Sequence, residues 1–286
     1  MSTIQRVLFP IDFCSSRGML TSTTRRMFDR RNVEIVLLHA LESPPNSRRG
    51  TELERAMAQM EFLARKEFDF APVCRRVERG RAADSILDYA RLNAPDVIVM
   101  QAGGAPNVRR SSLGHVTEEV LAATPCAVWL EWTTGSRDCA RHICCAVPLD
   151  KSDEAVLCKA AEVARELGAN LTIIHAVSPE PEKRAALLWD SGVREHAVRA
   201  AQVLVDTLRR KFAPEARLHI AIGGVHEVVS QALYRLDAGL LVAAQREAIF
   251  AAQSACPVLL VAGAARSRAH VPEPCLSRAI HASRTA

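Results

Sequence analysis

The sequence predicts an α/β protein: two tandem open, parallel five-stranded sheets with helices on both faces. Three observations predict it. The chain states one pattern twice, as Val7-Leu8-Phe9-Pro10-Ile11-Asp12 and Cys145-Ala146-Val147-Pro148-Leu149-Asp150, each with a Ser soon after, Ser15 and Ser152. Each copy leads, after a helix-length stretch, to a second apolar run ending in His: Ile35-Val36-Leu37-Leu38-His39-Ala40 and Leu171-Thr172-Ile173-Ile174-His175-Ala176. The two Asp lie 138 residues apart and the two His 136. Solenoid units recur every roughly 20–50 residues, so this is a duplicated domain. Second, β-branched runs alternate with helix-period stretches in both halves, which argues parallel sheets covered by helices. Third, Val97-Ile98-Val99-Met100 is apolar without alternation, as in a strand buried on both faces.

The elements follow in order. Strands of the first half are expected near 5–9, 33–39, 72–78, 96–101 and 126–131. Ser and Thr crowd the segment after Asp12, where a helix needs caps. Leu53, Met57, Met60 and Leu63 recur at a helical period within 51–68, with charges between them. A helix over 84–92 ends at Asn93-Ala94-Pro95, and one opening near Gly114 stops at Thr124-Pro125. The second half repeats the order: strands at 143–147, 170–176, 216–222, 238–243 and 257–261, helices at 153–168, 193–212, 226–236 and 247–254. Residues 133–140 read as a linker and 43–50 as a loop. The domains are then 1–134 and 140–263, and the tail 264–286, with no apolar period, is expected to be disordered.

Length and composition are those of a globular chain of about two domains. Most of the net charge of +5 sits in the tail, which has four Arg against one Glu. The folded part is too weakly basic for a nucleic-acid face. No apolar run approaches the ~18 residues of a membrane span, and the first residues lack the basic-then-apolar order of a signal peptide. Nine scattered cysteines, with no Cys-x-x-Cys, read as reduced thiols in the cytoplasm. A redox role for Cys144-Cys145 is the lesser reading. No pair of His at ligand spacing, no Walker loop and no Gly-x-Ser-x-Gly elbow is present, so no metal site and no catalytic residue is assigned.

Chemistry in an open parallel sheet belongs at the carboxyl ends of the strands, where strand order reverses. Asp12 falls there. Its carboxylate suits a ribose hydroxyl or an exocyclic amine, or equally a helix N-cap. The stretch Gln101-Ala102-Gly103-Gly104-Ala105-Pro106, continuing to Leu113-Gly114-His115-Val116, runs from a strand through a glycine-rich loop into a helix. Glycine admits a phosphate close to backbone N–H groups, and a helix N-terminus adds donors and a favourable dipole. A surface turn has the same composition. His39, at a strand end and repeated as His175, reads as structural.

Taken together, these residues resemble the universal stress protein family in its tandem form. The resemblance rests on Pro10-Ile11-Asp12 with Cys14 in place of a Ser, on Pro148-Leu149-Asp150-Lys151-Ser152, and on Leu38-His39-Ala40 and Ile174-His175-Ala176. It rests also on Gly80-Arg81-Ala82-Ala83-Asp84-Ser85-Ile86, Pro125-Cys126-Ala127-Val128 and Ala255-Cys256-Pro257-Val258. It implies a Rossmann-like fold of the adenine nucleotide alpha hydrolase type and a stress-response regulatory role without efficient catalysis. ATP-binding members follow the fourth strand with Gly-x-x-Gly, nine residues, then Gly-Ser or Gly-Thr. Here Gln101 stands at the first glycine and His115 at the hydroxyl position, whereas Gly104 and Gly114 are kept. The resemblance therefore implies weak ATP binding, with Mg²⁺, at Pro10, Asp12, Ala40, Gly104, Gly114, His115 and Val116. Arg109 and Arg110 could add charge there. Asp237 to Cys256 spans 19 residues where Asp96 to Cys126 spans 30. The glycine loop is thus missing from the second domain, and no nucleotide is expected in it. The alternative is a nucleotide-independent scaffold acting through dimerisation. In this family fifth strands pair between domains, and Ala127-Val128-Trp129-Leu130 and Val258-Leu259-Leu260-Val261 would serve. Two chains would pair through the remaining edge strands, with an unknown protein as a further partner.

Overall fold

The computed structural model describes residues 4–13, 20–29, 33–42, 49–102, 113–132, 141–178, 190–248, 254 and 256–262. The first half is built as β1 (Arg6–Pro10), α1 (Ser22–Phe28), β2 (Glu34–Leu41), α2 (Arg49–Glu67), β3 (Val73–Arg79), α3 (Ala82–Asn93), β4 (Val97–Ala102), α4 (His115–Ala123) and β5 (Ala127–Trp132). The second half is β6 (His142–Ala146), α5 (Asp153–Leu167), β7 (Asn170–Val177), α6 (Ser191–Phe212), β8 (Arg217–Ile222), α7 (Val225–Arg235), β9 (Leu240–Ala244), a 3₁₀ turn (Gln245–Glu247) and β10 (Val258–Val261). All ten expected strands are present, within a few residues at each end. The expected loop 43–50, linker 133–140, helix beyond Ala248 and tail 264–286 fall wholly or mainly outside the described residues.

The two expected five-stranded sheets are joined into one, in the order β3-β2-β1-β4-β5-β10-β9-β6-β7-β8. Every neighbouring pair is parallel except β5 with β10, which run antiparallel with Leu259 opposite Trp129. The fifth-strand runs named above therefore meet, within one chain. Strand order reverses between β1 and β4 and again between β6 and β9, so each half has its own crevice at the carboxyl ends of its strands.

Residue alternation divides the core into two layers. Val7, Phe9, Val97, Val99 and Trp129 face one way, against Met27 and Phe28 of α1, Met60 of α2 and Phe68. Leu8, Ile98, Met100, Val128 and Leu130 face the other, against Ile86 of α3 and Val120 of α4. Trp129 is fully buried, its ring 5.6 Å from that of Phe28. Burying each such side chain contributes about 1.5–3 kcal/mol. The layers continue across the β5–β10 seam, and two side chains reinforce it. Arg26 of α1 donates to the Leu167 carbonyl at the end of α5, at 2.6 Å, a cation on the negative end of a helix. Gln245 donates to the Leu121 carbonyl of α4.

Five cysteines, Cys126, Cys144, Cys145, Cys158 and Cys256, are free. Cys74 departs from the reduced-thiol reading, for it is disulfide-bonded. Burial pushes the Cys144 thiol up to about 12 and raises Cys145 as well. Neither is a thiolate near neutrality, which removes the chemical basis for a redox role.

Candidate functional site

Two histidines pin the strand ends. His39 Nδ1–H donates to the Ile11 carbonyl at 2.7 Å, and His175 Nδ1–H donates to the Val147 carbonyl at 2.9 Å. Ile11 and Val147 themselves donate from their N–H groups to Leu38 and Ile174. These His are structural, as the sequence suggests.

The same bonds reveal a register that the sequence hides. Arg6 pairs with Glu34 and His142 with Asn170, so β1 and β6 correspond at an offset of 136. The next landmark agrees: Phe13 and Leu149 both have left-handed backbones, at φ of 56° and 65°. A left-handed backbone is a strained one for a bulky residue. Asp12 therefore precedes the left-handed residue and Asp150 follows it. The Pro-x-Asp motifs that align at 138 are two residues out of step in the sheet. Pro10 closes β1, whereas Pro148 lies beyond β6, with Ala146 in the strand position of Pro10. The two carboxylates, equated in sequence, are not equivalent in space.

Their surroundings differ accordingly. Asp12 is exposed at the end of β1, beside the β4 terminus. Phe13 turns back so that its ring lies 4.4 Å from that of His39. The cap of α1 is Thr21, whose hydroxyl accepts from Thr24 N–H; the capping role left open for Asp12 is not needed by that helix. Asp150 Oδ1 accepts from Ser152 N–H at 2.7 Å and from Ser152 Oγ at 2.6 Å. Its other oxygen pairs with the Arg246 guanidinium. Arg246 lies in the 3₁₀ turn that replaces the missing loop, so β9 delivers a cation straight to the strand end.

The predicted residues are placed as follows. Pro10, Asp12 and Ala40 come together at the ends of the neighbouring strands β1 and β2. Gly114 caps α4 with φ of 89° and no side-chain hydrogen bond, and a Cβ there would meet open space. The backbone angle, not crowding, is what favours glycine. Val116 is partly buried against the core layer of Leu8, Ile98 and Val128. His115 Nε2 lies 2.8 Å from Glu119 Oε1, and Glu119 also takes a two-pronged bond from Arg81 Nη2 at 2.8 and 3.1 Å. His115 is thus engaged along its own helix. Gly104, Arg109 and Arg110 lie outside the described residues. Gln101, next to last in β4, has its Nε2 buried and without a hydrogen-bond partner among the described residues.

Two further groups escaped the sequence reading. Glu131, 1% exposed, accepts from Thr21 N–H at 3.1 Å, from Thr24 Oγ1 and from Trp129 Nε1 at 3.0 Å. Burial raises its pKa despite those three donors. A charged residue two after Trp129 in an otherwise apolar strand was the available signal. Asp153, 2% exposed at the start of α5, accepts the Leu149 N–H, and burial pushes its pKa up to about 6. No cluster of metal-ligating side chains occurs among the described residues.

This is a tandem α/β chain with two strand-end crevices, the second of which is filled by its own arginine. The profile of the universal stress protein family matches residues 3–130 and 140–253, and the chain belongs to that family. A universal stress protein from Archaeoglobus fulgidus DSM 4304 superimposes with a TM-score of 0.65 at 18% identity, over 92% of this chain and 100% of its own. A functionally unknown protein from Pseudomonas aeruginosa PAO1 gives 0.65 at 14%, over 92% and 94%. A putative universal stress protein from Pseudomonas aeruginosa UCBPP-PA14 gives 0.63 at 14%, over 91% and 94%. At these identities the likeness is one of fold. No curated protein matches the chain. No helix among the described residues is long and apolar enough to cross a membrane.

Proposed function

We propose that this chain is a stress-response regulatory protein that acts by binding, with one nucleotide crevice in its first domain and a structural second domain. The observation that carries the reading is the contrast at the two carboxylates. In the second crevice Asp150 is held by Arg246 and Ser152; in the first, Asp12 stands on the protein surface where strand order reverses, and among the described residues no 3₁₀-turn arginine is delivered to it by the strand that follows. Adenine nucleotide fits the first crevice in part. Asp12 offers an acceptor, and the α4 N-terminus at Gly114 carries no side-chain cap and presents N–H donors to an anion. Gln101 and His115 do not fit the pattern: one adds a buried amide where a glycine was expected, the other bonds to Glu119. Weak binding of ATP, with Mg²⁺ carried on its phosphates, follows. No catalytic step is proposed. The five free thiols favour the cytoplasm as its compartment, with the bond at Cys74 as the counter-observation.

The second reading is a scaffold that needs no nucleotide. It is favoured by the same Gln101, whose side chain stands at the strand end that the phosphates would approach. Thermal unfolding with Mg²⁺-ATP separates the two. At a hundredfold excess over Kd the first reading expects about 2.7 kcal/mol of stabilisation, lost in Gly114→Val. No shift in the parent protein supports the scaffold. Phosphate release abolished by Asp12→Ala would contradict both.

A further inference from the structure

Cys74 of β3 is disulfide-bonded, and five other cysteines are free. Three of the chain's nine are left as its partner: Cys14, Cys139 and Cys275, all outside the described residues. Strand register and the reach of the chain separate them. One row of paired residues crosses six strands, from Leu260 of β10 through Val128, Ile98, Leu8 and Val36 to Cys74. All six lie in the core layer under α3 and α4. Cys139 is two residues before Arg141, whose carbonyl accepts the Asn170 N–H beside the start of β6. β6 stands seven strand places from β3, roughly 34 Å at about 4.8 Å a place; two residues span ~7 Å at most. Cys14 is one residue past Phe13, which packs in the opposite layer with its ring 4.4 Å from that of His39. His39 pairs with Val77, three residues along β3 from Cys74. One peptide step of about 3.8 Å does not carry the chain round the sheet, and a disulfide needs its Cα atoms within about 7 Å. Cys275 is thirteen residues past Ala262. Because β10 runs antiparallel to β5, the chain leaves it after Val261 at the amino ends of the first-half strands, one residue beyond the row of Cys74. Five strand places make roughly 24 Å, and thirteen residues extend to ~45 Å.

We infer that Cys74 is bonded to Cys275, so that the C-terminal tail is strapped past the amino ends of β5, β4, β1 and β2 to the outer strand of the first half. The strap links the last strand of the second half to the outermost strand of the first, a covalent tie across the halves in addition to the β5–β10 seam. It is made by exchange with a small disulfide such as oxidised glutathione. One protein thiolate attacks that disulfide and expels a small thiolate; the second attacks the resulting mixed disulfide and expels the other. Two protein thiols are oxidised, the small disulfide is reduced to two small thiols, and the two protons pass to them. Excess small thiol runs the same steps backwards. Attachment of the tail thus follows the redox poise around the protein, an input that neither crevice supplies.

The test is peptide mapping of the full-length protein, with free thiols alkylated before digestion and no reductant added. After incubation with oxidised glutathione, trypsin should yield residues 67–75 joined to residues 269–278. The joined pair should be lost in excess reduced glutathione and absent from Cys275→Ser. Should that variant fail to fold, the map of the parent protein decides. Cys74 joined to Cys14 or to Cys139 overturns the assignment. Cys74 joined to Cys74 of a second copy, with a doubled mass on a non-reducing gel, overturns it too. Full alkylation of Cys74 after the oxidant overturns the bond itself. A joined pair that survives excess reduced glutathione in the native protein overturns the exchange.

Discussion

At the scale of the residue, the chain separates carboxylates by what surrounds them. Asp150 is paired with Arg246 at a strand end, and Asp153 is buried with one oxygen, Oδ1, unpartnered among the described residues. Burial disfavours the charged form of Asp153 and moves its pKa from 3.8 to about 6. The folded state then holds that proton more tightly than the unfolded chain. Stability from this group is present below about 4 and is lost as pH rises to about 6. The loss is on the order of 3 kcal/mol at neutrality. Asp153→Asn should flatten the urea midpoint between these pH values and raise it at pH 7; a variant with the parental slope would show that the carboxylate is not the source. Little of this was legible beforehand. Asp12 could be singled out because a motif ends on it. Asp153, Glu131 and Arg246 could not, since their roles depend on which distant atoms they meet. The deletion after β9 was visible, but not that it would carry Arg246 to Asp150.

At the scale of the element, strands and most helices follow from periodicity, because alternation and the 3.6-residue repeat are imposed by the backbone itself. Register is another matter. The Pro-x-Asp motif suggested an offset of 138 and the His an offset of 136; hydrogen bonding decides for 136. A motif marks chemistry near a strand end, whereas register is set by which side chains enter the core, and the two drift apart when a residue pair is inserted beyond the strand. The link between α1 and β5 was likewise hidden. Glu131 holds the first turn of α1 through Thr21 and Thr24, and α1 in turn reaches α5 through Arg26. Glu131→Ala would leave the Thr21 N–H and Trp129 Nε1–H unpaired in the core, at about 1–3 kcal/mol each. Urea denaturation should show a loss of roughly 2–6 kcal/mol on that basis, with Glu131→Gln losing less. A loss under about 0.5 kcal/mol, the range of an ordinary surface change, would mean that the contacts are not made.

At the scale of the molecule, duplication has produced two halves that share one sheet, and on the proposed function they divide their tasks. The antiparallel β5–β10 seam and the Arg26 and Gln245 bonds bind the halves together, so each half supports the other. The duplication and the fold class could be read from the chain, and the family resemblance implied the pairing of fifth strands. The asymmetry of the crevices could be read only as a missing loop; that Arg246 fills the gap needed coordinates. One measurement tests the division most directly: calorimetric titration of the full-length protein with Mg²⁺-ATP, in the parent, Asp12→Ala and Asp150→Ala. The account predicts one site per chain in the micromolar range, about −8 kcal/mol, lost in Asp12→Ala and kept in Asp150→Ala. Two sites per chain, no binding in the parent, or binding lost with Asp150 instead of Asp12, would contradict it.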